Sequence, residues 1–113
     1  MAAKVFFSKE ITPEKVVELY RLTGKNLEGK VAVKVHSGEE GNQNFLKPDF
    51  WKPVIDDIGG TVVECNTAYE GKRNTSEEHW KAIKDHGFLD IAPCDIMDED
   101  GDIAIPVNGG KHL

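Results

Sequence analysis

Apolar positions along the chain recur at two different spacings, and the changes of spacing mark out its elements. Residues 4–8, KVFFS, predict a first strand. In PEKVVELYRLTGKN, the side chains of Val16, Leu19, Tyr20 and Leu22 fall on one helical face. Thr12 precedes that run as a cap, Pro13 takes the first helical position, where an absent N–H costs nothing, and Gly24 supplies a stop. KVAVKVH alternates, with Val31, Val33 and Val35 pointing one way, and predicts a second strand. A helical pattern covers roughly residues 48–58, but Pro53 lies inside it, which predicts a turn followed by a short helix. Gly59 and Gly60 end that segment and TVVECN reads as a third strand. Thr75 and Glu78 have the spacing of a capping box before SEEHWKAIKDH, and Gly87 stops this last helix. PCDIMDEDGDIAIPV then predicts two short strands around an Asp-Gly turn, a hairpin.

Strands alternating with helices predict an α/β fold, a mainly parallel sheet with covering helices, Rossmann-like, ending in the β-hairpin. At 113 residues the chain is expected to be one α/β domain, or the N-terminal fragment of a longer one. The closing NGGKHL follows a strand with turn glycines that lead to no further element, which favours the fragment.

Charge and cysteine usage narrow the partners. A formal net charge of −6 argues against nucleic acid, since phosphate contacts require clustered Lys and Arg. No apolar run reaches the length of a membrane span, and the first ten residues lack the apolar core of a secretory signal, so a cytoplasmic protein is expected. Asn74 opens an Asn-Thr-Ser acceptor triplet, which has no consequence in a chain without a secretory signal. Cys65 and Cys94 stand apart and form no Cys-x-x-Cys pair, so two reduced thiols and no cluster within this chain are expected.

Chemistry-bearing residues gather on two long connections, each following a strand, where parallel sheets bind ligands. The first, HSGEEGNQNF, offers His36, Glu39 and Glu40. Its Gly38 and Gly41 do not make a phosphate cradle, because no Gly-Lys-Ser/Thr follows and the glutamates would repel phosphate. Imidazole beside carboxylate suits proton transfer or a metal cation; the plain alternative is a strand end with solvated acids. The second connection, NTAYEGKRNTSEEH, places Lys72 and Arg73 just before the helix that Thr75 caps, where a carboxylate or phosphate is favoured. Its plain alternative is a basic pair balancing Glu70, Glu77 and Glu78. DEDGD lacks the acidic end positions of a calcium loop, and Trp51, Trp80, Phe50 and Phe88 are expected to be core. His79 and His86, seven apart on one helix, are too distant for a compact metal pair.

The run KVAVKVHSGEEGNQNFLKPDFWKPVIDDIGG, with NTAYEGKRNTSEEHWKAIKDHGF and a later IAP, resembles the front of a bacterial and archaeal family known as domain of unknown function 362. The likeness spans roughly residues 4–113. Members of that family look like longer cytoplasmic proteins, many with a ferredoxin-type four-iron–four-sulfur (4Fe-4S) domain towards the carboxyl end. The resemblance implies such a domain as partner in a full-length relative, and no established activity. Its motif positions here are His36, Gly38, Glu39, Gly41, Asn42, Asn66, Thr67, Tyr69, Arg73 and Asn74. Joined to the two loops, this gives the expected site: His36 and Glu39 as acid/base or metal groups, and Gly38, Gly41, Asn42, Asn66, Thr67, Tyr69, Lys72, Arg73 and Asn74 around a small anionic molecule. A non-catalytic binding or docking module is the alternative. Self-association is expected through Ile103, Ile105 and Val107, whose alternation leaves an apolar face.

Overall fold

A computed structural model describes residues 2–101, 103 and 105–111. Three helices and three strands follow in the order α1 (Pro13–Leu22), β1 (Val31–Lys34), α2 (Pro48–Ile58), β2 (Gly60–Glu64), α3 (Ser76–Asp85) and β3 (Cys94–Ile96), with a single 3₁₀ turn at Phe88–Asp90 before β3. The strands lie in the order β1-β2-β3, all parallel, with Val33 beside Val62 and Glu64 beside Ile96. The α/β class and the parallel sheet are as the alternation predicts.

Both crossovers step in the same direction along the sheet. With the right-handed preference of such connections, that puts α2 and α3 on one face. There Val33, Val35, Val62 and Ile96 pack against Ile55 of α2, Ile83 of α3 and Phe88, and Trp51 and Trp80 flank the cluster half-buried. Phe50 stacks edge-on against Trp51 at the rim rather than in the core. The opposite face is open apart from Val63, which is buried. Ala32, Lys34 and Asp95 are exposed there, and a hollow of about 540 Å³ runs over Ala32, Thr61, Val63 and Met97.

The helix ends follow their local chemistry. Thr12 Oγ1 accepts the Lys15 N–H at 3.2 Å and Thr75 Oγ1 the Glu78 N–H at 3.4 Å, each satisfying an amide that the first turn leaves open. Gly59 ends α2 in a left-handed conformation (φ 68°) that only glycine adopts without strain. Gly60 then enters β2 so close to β1 that a Cβ would stand 2.5 Å from Val33 Cγ2.

Three expectations are corrected. Residues 4–8 are not a strand; Val5 and Phe7 are 86% and 80% exposed, and no strand among the described residues pairs with them. Pro53 does not split α2. It removes one hydrogen bond, to the carbonyl of Asp49, an exposed first-turn residue whose carbonyl water can satisfy. No hairpin forms among the described residues; its first arm is β3, which pairs parallel with β2. Of the second arm, Asp102 and Ala104 fall outside the described residues, and Ile103, Ile105 and Val107 are in no strand.

Candidate functional site

The carboxyl ends of β1 and β2 feed the two loops singled out above, and the loops meet. Past β1, the Val35 N–H still reaches Val63 O at 3.3 Å, which carries the pairing up to His36. The chain turns at Gly38, whose φ of 90° and close approach to the Phe45 ring leave no room for a side chain. Gly41 (φ 76°) and an Asn42 Oδ1 that accepts the Asn44 N–H at 2.7 Å shape the rest of that loop. Past β2, the Thr67 N–H bonds to Arg73 O at 2.8 Å and Thr67 Oγ1 to Tyr69 O at 3.1 Å, folding residues 67–73 into a closed turn.

That closure delivers Arg73 into the sheet edge, where it is 4% exposed. Its Nε donates to Glu39 Oε1 at 2.7 Å, its Nη1 to Glu64 Oε2 at 3.2 Å, and its Nη2 lies 2.6 Å from Glu39 Oε1 and 3.2 Å from His36 Nε2. Glu64, the last residue of the central strand, is 1% exposed and also accepts the Ser37 backbone N–H. A buried carboxylate persists only when paired in this way. Burial works against the Arg73 charge, but the hydrogen bond to Glu39 and the charges of Glu64 and Glu39 outweigh it and hold the guanidinium above its ordinary value.

Below this triad lies His79, fully buried on the inner face of α3. Its Nδ1 is 3.0 Å from Asn66 Oδ1 and its Nε2 is 3.5 Å from Glu64 Oε2. Asn66 is committed on every side: its Nδ2 donates to Ser76 Oγ at 3.0 Å and its backbone N–H to Asp98 Oδ1 at 2.9 Å. His86, at the other end of α3, stacks on Phe45 and bonds through Nδ1 to Ser37 O at 2.7 Å, pinning the first loop from outside.

The structure thus brings His36, Glu39 and Arg73 together, with Gly38 and Gly41 as their turns. Others are placed differently. Arg73 is not a free anion anchor, because two carboxylates already engage it; what remains of its donor capacity faces His36. Lys72 points away and pairs with Glu78 at 2.8 Å on the solvent side of α3. Asn66 and Thr67 build the loop rather than line an opening, while Tyr69 and Asn74 are exposed. Glu64 and Ser37 were not singled out from the sequence, and His79 was weighed only as a metal partner of His86 and set aside. Glu64 had a signal: in TVVEC it is in phase with Val62, so an acid occupies a core-facing position of a strand. His79 had a weaker one, preceding Ala82 and Ile83 by a helical turn on the same buried stripe. Among the described residues, no group of three His, Cys, Asp or Glu side chains is arranged to hold a metal ion. Cys65 is exposed, and burial pushes the half-buried Cys94 thiol up to about 11.

A buried ion-pair network at the carboxyl edge of a parallel sheet is what this α/β domain offers to chemistry. The chain belongs to the family described as Domain of unknown function (DUF362), whose model matches residues 31–113, from the first residue of β1 onward. No curated protein and no solved structure matches it. Among the described residues, no helix is long and apolar enough to cross a membrane.

Burial, and next the Arg73 charge, hold His79 below its ordinary value of 6.5 against the pull of Glu64, Asp98 and Glu39. The unfolded chain therefore binds more protons than the native one below that value, and stability is expected to fall as pH drops from 6.5 through the lower native value. Urea denaturation across this range measures it; in His79→Gln the part of the slope due to this residue should vanish.

Proposed function

We propose that the carboxyl edge of the sheet binds a small anion, with His36 as the group that gives or takes its proton. One observation carries this reading. His36 meets a donor at each ring nitrogen but carries one hydrogen when neutral, and the Gly38 N–H at Nδ1 (3.0 Å) is satisfied when that hydrogen is on Nε2. That Nε2 faces Arg73 Nη2, itself a donor, at 3.2 Å. Two donors face to face repel. An oxyanion accepting from both replaces the repulsion with two hydrogen bonds, at least one of them charge-assisted. His36 is exposed, so its ring has room to move aside as the anion enters. Glu39, half-buried on the other side of Arg73, fixes the guanidinium and supplies a carboxylate for proton transfer. The resemblance to the front of proteins that often end in a ferredoxin-type 4Fe-4S domain supports an electron-transfer setting for this site in a cytoplasmic protein.

Amide and imidazole NMR during titration with sodium acetate or sulfate tests it. The expected result is saturable shifts at His36, Gly38 and Arg73 at millimolar anion, lost in His36→Ala. Shifts spread evenly over surface lysines, or unchanged in that variant, would refute the site. A non-catalytic module is distinguished by finding such binding without any turnover of carboxylate or phosphoester substrates.

A second reading concerns partners. Ile103, Ile105 and Val107 are 80%, 76% and 68% exposed, a run of apolar side chains that water does not favour. We infer self-association through this stretch. Light scattering at micromolar concentration should give a mass above that of one chain, reduced in Ile105→Lys; a monomer unaffected by that change would rule it out.

A further inference from the structure

We propose that Glu64 and His79 form a buried proton-binding site beneath the sheet edge, and that an anion bound at His36 and Arg73 draws one proton onto it. This inference rests on the anion reading above and adds its regulation by pH.

The geometry starts at Asn66. Its Nδ2 donates to Ser76 Oγ, so its Oδ1 is the atom turned to His79 Nδ1 at 3.0 Å, and Nδ1 carries the ring hydrogen. Nε2 is then a bare acceptor. It is buried, has no hydrogen-bond partner among the described residues, and faces Glu64 Oε2, another acceptor, at 3.5 Å. Two acceptors opposed in a region shielded from water repel, and a proton placed between them turns the contact into an imidazolium–carboxylate hydrogen bond. Glu64 already accepts from the Ser37 N–H and Arg73 Nη1, with Lys34 Nζ 3.6 Å from it, so the acceptor left without a donor is His79 Nε2.

The charged groups around His79 come from every neighbouring segment: Glu64 at the end of β2, Glu39 and Arg73 from the two loops, and Asp98 beyond β3. Arg73 is the cation of that set, and together with burial it keeps the ring neutral in the free protein. An anion seated on the Arg73 and His36 donors offsets that positive charge, leaving the three carboxylates to draw the proton in. Only a proton moves, from solvent or buffer to Nε2; no bond of the anion changes. Linkage then makes binding tighter in acid, by up to about tenfold per pH unit for one proton.

Calorimetric titration of the wild-type chain with sodium acetate or sulfate, in cationic buffers of different ionisation enthalpy, tests this near neutral pH. Both probes are fully ionised there, so any proton taken up is bound by the protein. The expected result is uptake of about one proton per anion, with affinity rising as the pH is lowered. NMR of the imidazole nitrogens should show His79 Nε2 bare in the free chain and protonated in the complex, and His79→Gln should keep binding but lose the uptake. If that variant does not fold, the wild-type spectra decide alone. Anion binding without proton uptake, with His79 neutral throughout, overturns this inference and leaves the anion site standing. A free chain in which His79 is the Nε2–H tautomer overturns it as well, because the Asn66 amide would then be reversed. If neither anion binds, both readings fall.

Discussion

Arg73→Met is expected to cost the fold about 3–5 kcal/mol, because it leaves the buried Glu64 carboxylate without its main cationic partner. A small domain has only about 5–15 kcal/mol in all, so the variant should be largely unfolded on modest heating. The magnitude comes from the orphaned charge rather than from the strength of the pair. Adding Glu64→Gln to Arg73→Met should therefore recover part of the loss, although a second mutation in a core normally adds damage. Lys72→Ala provides the contrast: its partner Glu78 is accessible, and an exposed pair of this kind contributes about 0–1 kcal/mol. Urea midpoints for the four chains measure the pattern. An Arg73→Met chain within about 1 kcal/mol of wild type would mean that Glu64 does not depend on Arg73, and the buried network would lose its structural meaning.

Phe88→Ala should be comparably damaging, at about 3–5 kcal/mol. Phe88 is fully buried within the cluster of Val33, Val35, Ile55, Val62, Ile83 and Ile96, and its ring lies 6.2 Å from that of Phe45. Phe45 in turn stacks on His86 and lies against Gly38. Removing the Phe88 ring opens a void behind the first loop, so the effect should reach His36 as well as the melting temperature. Thermal denaturation followed by circular dichroism gives the first quantity, and the His36 imidazole shift gives the second. A loss confined to stability, with the His36 signal unmoved, would show that the loop holds its shape without this support.

What could be read from the sequence was what depends on neighbours in sequence. The caps at Thr12 and Thr75, the glycine stops and the period of each element are local properties, and the helices lie where they were expected, α2 as one helix rather than a turn and a short helix. KVFFS failed because a strand is a statement about partners: its alternation suits a sheet, but nothing among the described residues pairs with it. DEDGD looked like a hairpin turn for the same reason, while β3 found a neighbour in β2, far away in sequence. The site divides in the same manner. His36, Glu39 and Arg73 were visible because polar residues crowd two long loops at strand ends. That Arg73 would be buried and shared between two acids was not visible, since Glu64 and Glu39 reach it from different segments. Glu64 was overlooked although TVVECN was read as a strand, because the partners that let an acid face the core come from other segments.

Helix α1 contributes no buried residue and is fastened to α2 partly by the Arg21–Asp57 ion pair at 2.5 Å, with a hollow of about 510 Å³ between the two helices. Elements held this loosely open at a lower cost than the core they rest on. The chain is therefore expected to unfold as two cooperative units of unequal strength. The weaker, α1, should melt while the sheet, both loops and the buried ion-pair network stay folded, so its loss would dim the helical signal and leave the sheet edge as it is.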